Sequence, residues 1–490
     1  MDEMEQGDGK FSDFVAVFAK LICTSQEYVR AAYDGERSVV SLRDVARCVK
    51  VFRWFGEFFA RTIGEKAPRP WKVADFFNVD ERAREYVRKA MLMSLAYCYY
   101  ARLDQKHRKG YGRALQKEYL SLQEPIEWVE LGVWTTRRIP KYGPRCTWLD
   151  LNARMFGQTV DQVMRSFVRH VHLGPGIALN EALLENLFMI MVSIVNQIPI
   201  FVVGKPGTSK SLAMKLITSN MNGEASESPF FRNFPSVSLF SYQCSPLSTS
   251  SGIEQAFMKA HKYKQQSPNS IVIVLLDEVG LAEQSPHLPL KVLHKVLDEG
   301  GDYSLVGISN WALDPAKMNR AVHLFRAAPG VEDLSRTASG MVQNVQLDGF
   351  LRSIARAYDM VYNEQRQRDF WGLREFYSTV KHINIVLSKE KGRSLDAEVL
   401  MDAVQRNFGG KPEELAKVLD IFFTSIGLPL QGVKRKGVIE LVGDNLKSTD
   451  SRQLMLLTKN GAALRLLFGA TRLLAHKSTD VIYGSDFPSD

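Results

Sequence analysis

Between Phe201 and Leu216 the chain reads FVVGKPGTSKSLAMKL. From Gly204 to Ser211 it has the spacing G-x-x-x-x-G-K-[ST] with one departure, Ser209 standing where the second glycine is expected. Such a loop holds phosphate because consecutive backbone N–H groups and a helix N-terminus face the anion, while a lysine adds a point charge. Lys210 supplies that charge and Ser211 a hydroxyl suited to Mg²⁺. Ser209 keeps its backbone N–H, the part that bonds phosphate, and loses freedom of φ, so some strain is expected there. The candidate nucleotide contacts are Gly204, Lys205, Pro206, Gly207, Thr208, Ser209, Lys210, Ser211 and Leu212. Taken alone, the same residues also fit a plain Gly/Ser turn between a strand and a helix.

Two further elements give the loop company. The apolar run IVIVLL leads into Asp277 and Glu278. Adjacent carboxylates at the tip of a buried strand are costly unless something uses them. Asp277 can hold Mg²⁺ through its waters, and Glu278 can take a proton from an attacking water. A second apolar run, SLVGIS, ends in Asn310. If its strand lies between the loop strand and the carboxylate strand, Asn310 reaches the γ-phosphate and can orient water. Beyond it, LDPAKMNRAVHLFR carries Arg320 and Arg326.

These residues need strands to present them. The segments 198–203, 236–243, 271–276, 304–309 and 321–325 are continuous apolar runs separated by helical stretches, the pattern of a parallel sheet covered on both faces. Before them, residues 1–165 read mostly as helix. SLRDVARCVKVFRWFGEFF opens on a Ser41 cap, and ERAREYVRKAMLMSLAYCYYARL is equally strong. Residues 106–144 break into Gly, Pro and basic residues and read as a connector. Helix returns over about 345–430, and the chain ends in VIYGSDFPSD, an ending expected of a piece of something longer.

Composition narrows the class. With 490 residues, 45% hydrophobic and 24% charged, the chain is globular and long enough for about three domains or subdomains. The net charge of +9 includes short basic runs at Lys106–Lys109 and Lys434–Lys436, too sparse for a nucleic-acid surface, so nucleic acid is not expected as a partner. Five scattered cysteines with no C-x-x-C pair support neither a disulfide framework nor a zinc ribbon, and a reducing compartment is expected. His170 and His172 lack a nearby cysteine and read as ordinary histidines rather than ligands. The most apolar run, Leu187–Val195, is too short to span a membrane, and no secretory signal opens the chain, so a soluble protein is expected.

The order of loop, Asp-Glu strand, Asn strand and LDPA with a following arginine resembles an AAA+ ATPase. The wording of IPIFVVGKPGTSKSLAMKL, SYQCSPLSTSSGI, LLDEVGLAEQSPHLPLKVLH, GISNWALDPAKMNRA, FWGLREFYSTVKHI and QRNFGG is similar to the mysterin family, giant RING-finger AAA+ E3 ubiquitin ligases. The similarity is best over 174–410. That family's loop is similar in also lacking the glycine before the lysine, so Ser209 looks like a family trait.

The resemblance implies an α/β fold: an AAA+ P-loop NTPase module, a parallel sheet between helices, with a helical lid and mostly helical flanks. Residues 1–165 would be the lid of a preceding module plus a connector, 166–345 the large α/β subdomain, 346–430 the helical lid, and 431–490 the start of a following module. It further implies ATP and Mg²⁺ as ligands, Glu278 and Asn310 as catalytic residues, and Ser211 and Asp277 at the metal. Arg320 would be a finger serving the preceding module's nucleotide, and Arg374 in GLREFY a lid cation aimed at the γ-phosphate, though a solvated helix arginine reads as well. Implied partners are neighbouring AAA+ modules of one dynein-like chain and, through regions not in this sequence, ubiquitin-pathway proteins in the cytoplasm. Two other readings stay open: a nucleotide-binding scaffold that never hydrolyses, and an AAA+ remodeller of nucleic acid or protein.

Overall fold

The computed structural model describes residues 2–33, 39–62, 81–130, 138–142, 146–299, 301, 303–314, 319–342, 347–367, 369–389, 393–448, 454, 456, 458 and 462–470. By packing, the chain divides into two units: residues 1–174 with 179–328, and residues 175–178 with 329–490. The helical segment expected over 1–165 therefore shares a unit with the α/β segment.

The first unit opens with helices α1 (Asp2–Ala32), α2 (Leu42–Thr62), α3 (Glu81–Cys98) and α4 (Gln105–Ser121). An antiparallel pair, β1 (Pro125–Glu130) and β2 (Arg138–Tyr142), and helix α5 (Ala153–Val168) follow. The start of α2 is fixed by Asp44, whose carboxylate accepts from the Ser41 backbone N–H at 2.8 Å. Helix α4 and the hairpin give regular structure to much of 106–144, the stretch read from the sequence as a connector. The glycines that suggested a break are close-approach sites. A Cβ on Gly112 would lie 3.1 Å from the Ala153 carbonyl oxygen, and one on Gly110 would collide with the Tyr28 hydroxyl.

The chain then enters α6 (Glu181–Val195), capped by Asn180, whose side chain accepts from the Leu183 N–H. The sheet comprises β3 (Ile200–Gly204), β4 (Val237–Gln243), β5 (Ile271–Asp277), β6 (Ser304–Ser309) and β7 (Val322–Arg326). Between them run α7 (Lys210–Asn220), α8 (Ser250–Gln266), α9 (Val279–Glu283) and α10 (Val292–Glu299). All strand pairs are parallel, in the order β4-β5-β6-β3-β7. Every residue of β3 and β6 is buried, as a parallel sheet covered on both faces requires. Edge strand β4 alternates half-buried and exposed positions. The register sets Val203 beside Ser309 and Gly204 beside Arg326, so the C-terminal ends of β3, β6 and β7 finish level.

The N-terminal helices pack onto this core rather than beside it. Phe188 of α6 lies 5.4 Å from the Phe167 ring of α5 and 6.1 Å from Phe55 of α2. The buried Tyr97 hydroxyl of α3 meets Ser193 Oγ at 2.7 Å.

The second unit is helical. Helices Val331–Met341, Asp348–Glu364, Leu373–Lys389, Ala397–Phe408 and Pro412–Ile426 enclose one apolar core containing Trp371, Phe376, Phe408 and Phe422. A further helix spans Val438–Lys447. Of the start of a following module expected over 431–490, half lies outside the described residues. No described helix is long and apolar enough to cross a membrane, and the described cysteines are all free.

Candidate functional site

The phosphate-type loop forms where β3 stops. Gly204 ends the strand because nothing larger fits: a Cβ there would lie 2.5 Å from Arg326 Cβ and 3.2 Å from Thr208 Oγ1. Gly207 then takes φ 86° and Ser209 takes φ 61°, both left-handed. At Ser209 that conformation costs about 1–2 kcal/mol relative to a glycine, and the sequence reading of strain at this position is located here. Lys210 opens α7 and is only 6% exposed, with Ser211 exposed and Leu212 half-buried behind it.

The Lys210 ammonium gathers the loop around itself. It donates to the Gly204 carbonyl, to the Lys205 carbonyl at 3.0 Å, and to Asn310 Oδ1 at 3.1 Å. Strand β6 lies between β3 and β5, which carries Asn310 to this point. The other half of the same amide, Nδ2, donates to Glu278 Oε2 at 2.6 Å. Lysine, amide and carboxylate thus form one chain of charge-assisted hydrogen bonds, and the amide orientation is dictated by its two ends.

Asp277 is the last residue of β5, and one of its oxygens accepts from the Glu278 backbone N–H at 3.0 Å. Glu278 itself is left-handed at φ 54°, a second strained non-glycine residue in the same site. Behind it, Gly280 packs under the tip of β6. A Cβ there would come within 2.7 Å of both Ser309 Oγ and the Trp311 indole. Cys244 sits close by but is no nucleophile: burial, then the charges of Asp277 and Glu278, push its thiol up to about 12.

Among the described residues no three His, Cys, Asp or Glu side chains cluster as a free-standing metal site would need. Mg²⁺ bound mainly by phosphate oxygens and waters needs only one or two protein ligands. The exposed Ser211 hydroxyl and the half-buried Asp277 carboxylate suit that role.

The arginines separate. Arg326 lies level with Gly204 but is 8% exposed and ion-paired with Glu185 of α6. Glu185 also takes a two-pronged contact from Arg108 of α4, at 2.8 and 3.0 Å. Burial works against the Glu185 charge, yet Arg326 and Arg108 hold its carboxyl below the usual range. Arg320 precedes β7 at the opposite end of the sheet from the loop. There Val322 pairs with Ile200, and the carbonyls of Asn319, Arg320 and Ala321 all accept from the Arg47 guanidinium of α2. Arg374 is exposed in the first turn of Leu373–Lys389, in the second unit.

Glu185→Gln would leave two buried guanidinium groups without their anion, a loss of about 3–5 kcal/mol. Because the folded carboxyl is depressed, its stabilisation is present above the ordinary carboxyl range and lost as pH falls through the folded value. Thermal melts should therefore show the full gap between variant and wild type at pH 7, narrowing below about pH 4.

Sequence reasoning passed over Glu185 and Asn186. The second is fully buried, and its Nδ2 donates to the Thr208 carbonyl at 2.9 Å. The available signal was a charged residue and an amide, side by side, inside the apolar run of α6.

A parallel sheet in this order, a phosphate-type loop after β3, an Asp-Glu pair on β5 and an asparagine on the strand between them define an AAA+ P-loop module. Residues 176–333 match the family model of the RNF213 AAA domain. The chain is 35% identical to the human E3 ubiquitin-protein ligase RNF213 and 31% identical to the E3 ubiquitin-protein ligase rnf213-beta of Danio rerio, each over 97% of its own length. It spans 9% of the length of either relative. The mysterin resemblance read from the sequence is borne out in these terms: residues 176–333 are an AAA domain of the RNF213 family. Among solved structures, Trip13 from Rhizobiales aligns with a TM-score of 0.28 and 15% identity over 56% of this chain and 85% of that chain, too loosely to add to this.

Proposed function

We propose that the loop Gly204–Leu212 binds ATP with Mg²⁺ and that the module hydrolyses it, coupling nucleotide state to the conformation of a longer, cytoplasmic, RNF213-like ligase. The observation that supports this best is the Lys210–Asn310–Glu278 chain, because a turn without a ligand has no need of it. The backbone N–H groups of the loop and Lys210 bind the phosphates, and Ser211 and Asp277 would hold a Mg²⁺ ion, which would supply positive charge against that building on the phosphates. Asn310 engages Oε2 of Glu278, which leaves Oε1 to receive the proton of an attacking water. In this reading Arg374 is a lid cation and Arg320 serves a neighbouring module. A scaffold that only binds nucleotide would not require a carboxylate held in this way, which favours turnover. Ubiquitin transfer would belong to other parts of such a ligase.

The test is Lys210→Ala in the full 490-residue chain. The ammonium is a phosphate contact, so titration with mant-ATP should show binding lost while circular dichroism shows the fold kept. Unchanged affinity would mean that the loop is only a turn.

A further inference from the structure

We propose that Asn186 is the positioning residue that sets the phosphate-binding loop in its working shape and lets Ser209 stand where a glycine would. The inference rests on the reading of Gly204–Leu212 as a nucleotide site.

A loop that cradles phosphate must turn its N–H groups inward, so its carbonyls turn outward and need partners elsewhere. Most of those partners are local. Lys210 takes the Gly204 and Lys205 carbonyls, the Thr208 hydroxyl also donates to Lys205, and the Ser209 carbonyl accepts from the Ala213 N–H at 3.0 Å. The Thr208 carbonyl accepts from outside the loop and its helix, from Asn186 Nδ2 of α6 at 2.9 Å. A trans peptide is planar, with its C=O and N–H pointing oppositely. Holding the Thr208 carbonyl toward α6 therefore aims the next N–H, that of Ser209, away from α6. Ser209 is the residue whose φ of 61° is least natural for its type in this loop.

Asn186 is a poor choice for packing alone. It is fully buried, and its Oδ1 has no hydrogen-bond partner among the described residues, a cost that an apolar side chain of similar size would avoid. Its neighbour Glu185 holds Arg326, whose Cβ occupies the space a side chain on Gly204 would need. One turn of α6 thus fixes both ends of the loop, Gly204 through Glu185 and Arg326, and Thr208 through Asn186.

The experiment is a double-mutant cycle on the full chain, read by mant-ATP titration and thermal melting. Asn186→Leu should weaken mant-ATP binding about tenfold, the size of one lost hydrogen bond of this kind, without lowering the melting temperature. In a Ser209→Gly background the peptide no longer needs an outside clamp, and the same substitution should cost about threefold or less. Asn186→Asp keeps the volume and replaces the donor with an acceptor facing the Thr208 carbonyl; it should weaken binding at least as much, and carries the comparison if Asn186→Leu does not fold. Wild-type affinity in both variants, while Lys210→Ala has lost binding, overturns the proposal. An equal loss in both backgrounds, or loss of the fold in both variants, overturns it as well, in favour of a packing role. If Lys210→Ala itself binds like wild type, the nucleotide reading has failed instead.

Discussion

Glu278→Gln is expected to keep ATP bound while slowing single-turnover hydrolysis by about 10²–10⁴-fold, the usual size of a lost general base. The substitution is nearly isosteric and leaves Lys210 and the loop carbonyls untouched, so affinity should hold. The loss should fall on the chemical step for two reasons visible in the site. Glu278 has its backbone in the left-handed region, which aims its side chain back toward the tip of β6, and Asn310 Nδ2 holds one of its oxygens at 2.6 Å. A glutamine there can still accept from Asn310 through its carbonyl oxygen, but it cannot take a proton. A wild-type rate in the variant would place the base elsewhere and remove the mechanistic meaning of the Lys210–Asn310–Glu278 chain. The measurement belongs in a protein containing the neighbouring modules, where turnover is fast enough to lose four orders of magnitude.

Much of this site is legible in sequence because its parts are anchored to strand ends. An apolar run followed by Asp277-Glu278, and another followed by Asn310, mark the edge of a parallel sheet where side chains leave the core. The sheet order then does the rest, bringing Asn310 between loop and carboxylates. What stays hidden are contacts between distant segments of one-sided or buried character. Nothing local announces that Arg47 of α2 grips the carbonyls before β7, since the two segments are remote in sequence and each reads as ordinary by itself. Arg108 reads as part of a basic run, and only its bidentate contact to Glu185 shows that it faces inward. Gly110 and Gly112 mislead in the other direction, because a glycine that permits close helix packing looks the same as one that ends a helix.

The remaining large effect concerns the finger arginine, and the sheet geometry decides which site Arg320 can serve. Strand β7 runs parallel to β3 from Val322 beside Ile200 to Arg326 beside Gly204. At about 3.3 Å per residue, those four steps alone separate the start of β7 from the level of the phosphate loop by about 13 Å. Arg320 lies before that start, with its carbonyl fixed by Arg47, so its backbone stands at the far end of the sheet from its own loop. Arg326, at the right level, is consumed by its buried pair with Glu185. On the tandem arrangement that the resemblance implies, the finger for the Lys210 loop comes from the module that follows, and Arg320 serves the one that precedes. A finger arginine is worth about 10³–10⁵ in rate where measured in other nucleotidases. The 490-residue chain should therefore bind ATP with Mg²⁺ and turn it over very slowly, and Arg320→Ala should leave that slow rate nearly unchanged. Adding the following module in cis should raise turnover toward the finger-assisted rate, and removing that module's own finger arginine should abolish the gain. Fast hydrolysis by the chain alone that Arg320→Ala stops would require Arg320 to reach a loop in a second copy, and the tandem arrangement would then give way to an assembly of identical chains.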